Sequence, residues 1–151
     1  MTHPLTARSR VDATTETLDA LLTAGRRLSP DATLSRTAAY TLGALDRLGP
    51  MRLTALAEHQ AVSQPAMTGL IRRLESVGLV TRAADPEDGR AVLVGLTGAG
   101  RERVADRRRH YAELIGGMLH QLDAGEVDDL VAALPALRRL TALIQDRKEA
   151  Q

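Results

Sequence analysis

Residues 80–97 constrain the fold of this chain more than any other stretch. They read Val-Thr-Arg-Ala-Ala-Asp-Pro-Glu-Asp-Gly-Arg-Ala-Val-Leu-Val-Gly-Leu-Thr. Two short apolar runs, Leu79-Val80 and Ala91-Val92-Leu93-Val94, flank a charged turn at Asp85-Pro86-Glu87-Asp88-Gly89. Proline holds its φ at a value that suits a turn, and glycine accepts positive φ, so the two runs are expected to close on each other as a hairpin. Arg90 lies on the far side of the turn, two residues beyond Asp88. A protruding hairpin with an arginine near its tip has the shape and charge to enter a narrow groove.

The segment before the hairpin predicts a helix over residues 63–77. Ser63 is a good N-cap, and Pro65 falls in the first turn, where a missing N–H costs nothing. Met67, Leu70, Ile71, Leu74 and Val77 form one apolar stripe, and Gly78 stops the helix. Gln64, Thr68 and Arg72 share another face, which Gly69 keeps low in relief. Around it, helices are expected over residues 11–28, ended by Ser29-Pro30, and from Thr33 or Ser35 to Gly49-Pro50. The second of these would bury Ala38, Ala39, Leu42, Leu45 and Leu48. A short helix fits residues 53–59, with Thr54 as candidate cap, and Ala61-Val62 makes a tight connection to Ser63. After the hairpin, Thr97 caps a long helix to about residue 121, which Gly116-Gly117 weakens. Asp123 opens a last helix with Val127, Leu130, Val131, Leu134, Leu137, Leu140, Leu143 and Ile144 on one face, kinked at Pro135.

Composition narrows the function classes. The 151 residues make one domain, or one domain with helical extensions. With no Phe, no Trp and two Tyr, the core must be aliphatic. The absence of cysteine excludes disulfides, thiol chemistry and cysteine-ligated metals. No apolar run approaches the roughly 18 residues of a membrane span, and Met1 to Arg10 lacks a signal-peptide stretch. A soluble, cytoplasmic protein is expected. The net charge is only +1, so any nucleic-acid partner must be met by a local arrangement of charge. Within residues 51–97, Arg52, Arg72, Arg73, Arg82 and Arg90 are matched by Glu58, Glu75, Asp85, Glu87 and Asp88.

Two short helices joined by a tight turn and followed by a hairpin describe a helix-turn-helix with a wing. The second helix would enter a major groove through its N-terminal residues. Gln64 can pair with adenine, Thr68 can meet a thymine methyl or a base edge, and Arg72 can reach guanine or phosphate. Arg73, about 100° around the helix, reaches a phosphate or pairs with Glu75. Arg90, positioned by Asp88, suits a narrow A·T minor groove. Periodicity alone equally fits an ordinary solvated helix face for Gln64, Thr68 and Arg72, and a surface ion pair for Asp88 and Arg90.

The chain resembles the MarR-type (multiple antibiotic resistance regulator) winged-helix transcription factors. The resemblance rests on Leu53-Thr54-Ala55-Leu56-Ala57, and on Val62-Ser63-Gln64-Pro65-Ala66-Met67-Thr68 leading to Arg73-Leu74-Glu75. It continues through Gly78-Leu79-Val80-Thr81-Arg82 and Asp85-Pro86-Glu87-Asp88-Gly89-Arg90-Ala91 to Leu96-Thr97-Gly98-Ala99-Gly100. It implies a mainly α fold with a small β-hairpin: a winged helix-turn-helix over residues 33–97, with helical dimerisation segments at 1–32 and 98–151. It implies a homodimer on a pseudo-palindromic double-stranded DNA operator, usually as a ligand-responsive repressor, with no cofactor. By position, Ser63, Gln64, Ala66, Thr68 and Arg72 match recognition-helix contacts. Arg73 and Arg82 match backbone contacts, and Asp88 and Arg90 match the wing pair. Gly89 stands where the family often carries Arg or another charged residue, which removes a phosphate contact at the tip.

Similar proteins often release DNA when an aromatic acid or phenol binds, and Tyr40 and Tyr111, with an arginine, would suit an anionic aromatic effector. Simple packing with the hydroxyls at the surface fits the same residues. His110 and Glu113, with His59 and His120, make no tight metal-ligand cluster. Arg107-Arg108-Arg109 reads as a solvated helix face. No Gly-rich phosphate loop or supported Ser/His/Asp set speaks for an enzyme. The competing reading is a winged-helix module that binds another protein and never reads DNA.

Overall fold

The structure, a computed structural model, describes residues 6–25, 28, 34–86, 88 and 91–149. Among these residues, six helices and three strands follow in the order α1 (Ala7–Gly25), α2 (Arg36–Leu48), β1 (Met51–Arg52), α3 (Leu53–Gln60), α4 (Gln64–Ser76), β2 (Val80–Ala84), β3 (Val92–Leu96), α5 (Gly98–Leu119) and α6 (Ala124–Glu149). The chain divides into two compact units, residues 1–111 and 112–151. No helix among the described residues is long and apolar enough to cross a membrane.

In the first unit, Ser35 caps α2, its side chain accepting from the Ala38 N–H at 3.2 Å. Gly49, at φ 82°, ends that helix by donating to the Leu45 carbonyl at 3.1 Å. Ala38, Leu42 and Leu45 of α2 join Leu56 and Ala57 of α3 and Met67, Leu70, Ile71 and Leu74 of α4 in one aliphatic core. Val80 and Val94 close it from the sheet, and Val104 from α5. Full burial of each large side chain contributes about 1.5–3 kcal/mol. Thr41 is fully buried within α2, and its hydroxyl has no hydrogen-bond partner among the described residues.

The hairpin forms as expected, with β2 and β3 antiparallel from Val80↔Leu96 to Ala84↔Val92. A strand that local pattern did not reveal joins it. Two residues of β1 pair with β3, Met51↔Val94 and Arg52↔Leu93, giving the order β1-β3-β2. Further expectations are corrected. Leu48 lies 57% exposed at the end of α2 rather than on its buried face. Arg52, not Thr54, occupies the N-cap of α3, with no side-chain hydrogen bond there. Val77 is the C-cap of α4 and is 65% exposed, because the helix ends at Ser76 before the apolar period returns to the core. The helix stop expected at Ser29-Pro30 lies outside the described residues.

Thr97 anchors the start of α5. Its hydroxyl donates to the Gly78 carbonyl at 2.6 Å, its N–H donates to the Leu79 carbonyl at 3.2 Å, and its side chain accepts from the Gly100 N–H at 3.0 Å. A Cβ at Gly100 would lie 2.0 Å from the Leu79 carbonyl oxygen. Glycine is required there by close approach of the backbones. The loop that ends α4 and the first turn of α5 are thereby held together.

In the second unit, α6 begins with a capping box. The Asp123 side chain accepts from the Glu126 N–H at 2.9 Å, and the Glu126 side chain accepts from the Asp123 N–H at 3.0 Å. The helix runs through Pro135 without interruption. The expected apolar face is present on this helix but largely uncovered: Leu130, Val131, Leu134, Leu137, Leu143 and Ile144 are all exposed. In α1, Val11, Leu21 and Leu22 are likewise exposed.

Candidate nucleic-acid interface

The connection between α3 and α4 is three residues long. Ala61 adopts a left-handed conformation, φ 52°, and donates to the Glu58 carbonyl at 3.0 Å, while Val62 donates to the Ala57 carbonyl at 3.0 Å. Ser63 then caps α4, its side chain accepting from the Ala66 N–H at 3.4 Å, with Pro65 in the first turn. Loss of such a cap costs about 1 kcal/mol. Four residues, Met67, Leu70, Ile71 and Leu74, hold the inner face of α4 in the core.

That anchoring decides what the outer face presents. Ser63, Gln64, Ala66, Arg72 and Arg73 are exposed, and Thr68 is half-buried. Gln64, Thr68 and Arg72 line up one above the other at intervals of four residues. The Thr68 hydroxyl donates to the Gln64 carbonyl at 2.8 Å, so its proton is engaged by the helix itself. A Cβ added at Gly69 would meet nothing within 4 Å, so the helix is unobstructed there. The cleft between α3 and α4 is lined by Thr54, Ala57, Glu58, Ala61, Val62 and Gln64. Gln64 therefore shares its surroundings with an acidic side chain from α3.

Charge pairing differs from the sequence expectation at one point. Glu75 pairs with Arg82 of β2, Oε2 to Nη2 at 2.7 Å, rather than with Arg73. This ties the last turn of α4 to the hairpin and leaves Arg73 exposed, with no ion pair to a described residue. At the hairpin base, Asp85 donates its N–H to the Ala91 carbonyl at 3.0 Å, and Ala91 donates to the Asp88 carbonyl at 2.8 Å. Asp85 is 6% exposed and accepts from Arg52 Nε at 2.6 Å. Asp88 is exposed, whereas Arg90 and Gly89 lie outside the described residues.

Tyr40 on α2 and Tyr111 on α5 flank one cation. The Arg107 guanidinium carbon lies 5.8 Å from the Tyr40 ring centre and 5.0 Å from that of Tyr111. Arg107 Nη2 also lies 3.5 Å from the Tyr111 hydroxyl. Arg107 thus departs from the solvated face expected for Arg107-Arg108-Arg109. Of its neighbours, Arg108 pairs with Asp46 of α2 at 2.9 Å and Arg109 with Asp106. Arg107 and Tyr40 lie on different helices, far apart in the sequence, so no local signal marked this contact. Among the described residues no group of three or more His, Asp or Glu side chains gathers as a metal site. His120 instead places Nδ1 2.6 Å from the Gly116 carbonyl.

The arrangement of α3, α4 and the sheet is that of a winged helix-turn-helix, and comparison with known proteins agrees. The MarR family profile matches residues 34–92. An HTH-type transcriptional regulator of Mycobacterium bovis is 36% identical over 105 residues, which cover 70% of this chain and 73% of that protein. The crystal structure of RV1404 from Mycobacterium tuberculosis superposes with a TM-score of 0.75 at 30% identity, covering 87% of this chain and 94% of the other. MepR of S. aureus shares the fold in two structures. A mutant bound to an oligodeoxyribonucleotide matches at TM-score 0.62 and 20% identity over 89% of this chain and 97% of its own. The protein bound to ethidium bromide matches at 0.57 and 21% over 88% and 95%. A helix-turn-helix with a capped, outward-facing second helix, a three-stranded wing and these relatives lead to one conclusion: the chain belongs to the MarR family of HTH-type, DNA-binding transcriptional regulators, and not to an enzyme family.

Proposed function

We propose that the chain acts as a homodimeric repressor on a pseudo-palindromic operator, with α4 reading the major groove and the hairpin the minor groove. The observation that carries this reading is the outer face of α4, where Gln64, Thr68 and Arg72 are aligned while the opposite face is locked in the core. Gln64 offers a bidentate amide to adenine and Arg72 a guanidinium to guanine. The engaged hydroxyl of Thr68 favours its methyl group as the contact, against a thymine methyl. Ser63 and Ala66 make the close approach at the helix N-terminus, where the backbone N–H groups and helix dipole favour phosphate. Arg73 and Arg82 face phosphates, and Arg90 enters the minor groove with Asp88 beside it.

Residues 33–97 form the DNA-binding region, and residues 1–32 with 98–151 the dimerisation region. The uncovered apolar residues of α1 and α6 support this division. Two-fold symmetry then sets the two α4 helices about 34 Å apart, one turn of DNA. Arg107 between Tyr40 and Tyr111 offers charge and two rings to an anionic aromatic or phenolic effector whose binding would alter DNA affinity.

The test uses a duplex selected from random-sequence DNA by the wild-type protein. Arg72→Ala is expected to weaken binding by about 1–3 kcal/mol and to relax preference at one base pair. Arg90→Ala is expected to weaken it too, and both variants should sediment as the wild type does. Affinity should fall steeply with salt. Unchanged affinity of both variants in a gel-shift titration would overturn the assignment of the interface, and failure to select any duplex would favour a protein-binding module.

A further inference from the structure

Asp85 is a buried carboxylate at the point where the hairpin leaves the sheet. It is the first residue beyond the β2–β3 ladder, which ends at Ala84↔Val92. Its backbone closes the loop by donating to Ala91, and its side chain is 6% exposed. A carboxylate so far from water needs a cationic, hydrogen-bonding partner. Arg52 supplies one, with Nε donating to Oδ2 at 2.6 Å. Arg52 lies 33 positions earlier, on β1, on the opposite side of β3 from the β2 strand that leads to Asp85. The contact therefore spans the whole width of the sheet, while 44% of the Arg52 side chain remains exposed.

We propose that Arg52 is a positioning residue for DNA recognition: by clamping Asp85 across the sheet, it fixes the direction in which the hairpin leaves the sheet at Asp85. The hairpin itself is short, and a two-stranded ribbon has little stiffness of its own. Its direction is set where it joins the sheet, and the ion pair acts at that junction. A planar guanidinium bonded through Nε holds a carboxylate in a defined orientation, which an ammonium on a flexible stem does not. The inference rests on the proposed contact between the hairpin and DNA.

The sign of one substitution separates positioning from charge. Asp85→Asn removes a negative charge near a polyanion, so electrostatics alone would tighten binding. Positioning predicts the reverse, a loss of about tenfold. Arg52→Met removes the guanidinium hydrogen-bonded to the buried carboxylate and should also lower thermal stability. The double variant Arg52→Met with Asp85→Asn removes both charges; it should melt close to the wild type yet bind as weakly as either single variant. Arg52→Lys should restore only part of the affinity.

A second reading of the same titrations locates the loss. Base changes in the segments flanking each half-site, where the hairpin reaches, should matter less to the double variant than to the wild type. Changes within the half-site should matter as much as before. Wild-type affinity of Asp85→Asn or of the double variant, or tighter binding by either, overturns the proposal while leaving a weakened Arg90→Ala to support the hairpin contact. An Arg90→Ala variant with wild-type affinity overturns the hairpin contact and the proposal with it.

Discussion

Two aliphatic helical faces of this chain, on α4 and α6, have opposite fates. In α4, Met67, Leu70, Ile71 and Leu74 are at most 5% exposed. In α6, Leu130, Leu134, Leu137 and Leu143 range from 39% to 53% exposed. The first stripe completes a core with α2, α3 and the sheet, so the winged helix supplies its own hydrophobic stabilisation. The second gathers more leucines and leaves them exposed. Periodicity states that a helix has an apolar face; it does not state whether that face is covered within the chain or by another molecule.

The largest effect that sharpens this contrast is expected from a charge on α6. In the proposed dimer, Leu137→Asp or Leu140→Asp would bury a carboxylate twice in a symmetric aliphatic seam, at several kcal/mol each. Sedimentation should then find monomers, and an intact dimer for both variants would move the interface away from α6. Next come two deletions compared by urea unfolding at low and high protein concentration. Ile71→Ala should cost about 2–5 kcal/mol at both. Leu134→Ala should cost less at the lower concentration, where association contributes less. Equal costs for Leu134→Ala at both would mean that its own chain covers it, and the contrast would fail. The smallest effect is expected inside the covered core. Thr41→Val removes a buried hydroxyl that has no hydrogen-bond partner among the described residues and should raise stability by up to about 1 kcal/mol. A fall in melting temperature would reveal a partner for that hydroxyl.

What local sequence encodes was legible, and what depends on distant pairing was not. Ser63, Pro65 and Thr97 mark helix starts because caps act within three residues, and Ser63 and Thr97 accept from the Ala66 and Gly100 N–H groups. The Asp85-Pro86 turn lies between strands in register because turn chemistry is also local. The strand β1 leaves no local signal because two residues carry no period, and its partner β3 lies some forty positions away. Val77 departs from the expected apolar face for a related reason: the apolar period continues in the sequence past the residue where the helix stops. In the interface, exposure along α4 followed from the stripe on its other side. The Glu75–Arg82 and Arg52–Asp85 pairs did not, since each joins residues from different elements and many charges of both signs lie within reach.

The environment of Arg107 has a spectroscopic consequence. With no Trp and no Phe in the chain, Tyr40 and Tyr111 are the only aromatic rings besides the four histidines, and both adjoin the same guanidinium. Near-ultraviolet absorbance, circular dichroism and intrinsic emission therefore report on the α2–α5 contact and are silent about the rest of the molecule. A melting curve followed at tyrosine wavelengths measures the loosening of that contact, which can part before the core does. An absorbing aromatic compound seated beside Arg107 would quench tyrosine emission against no tryptophan background, so the native protein carries its own optical sensor for that location.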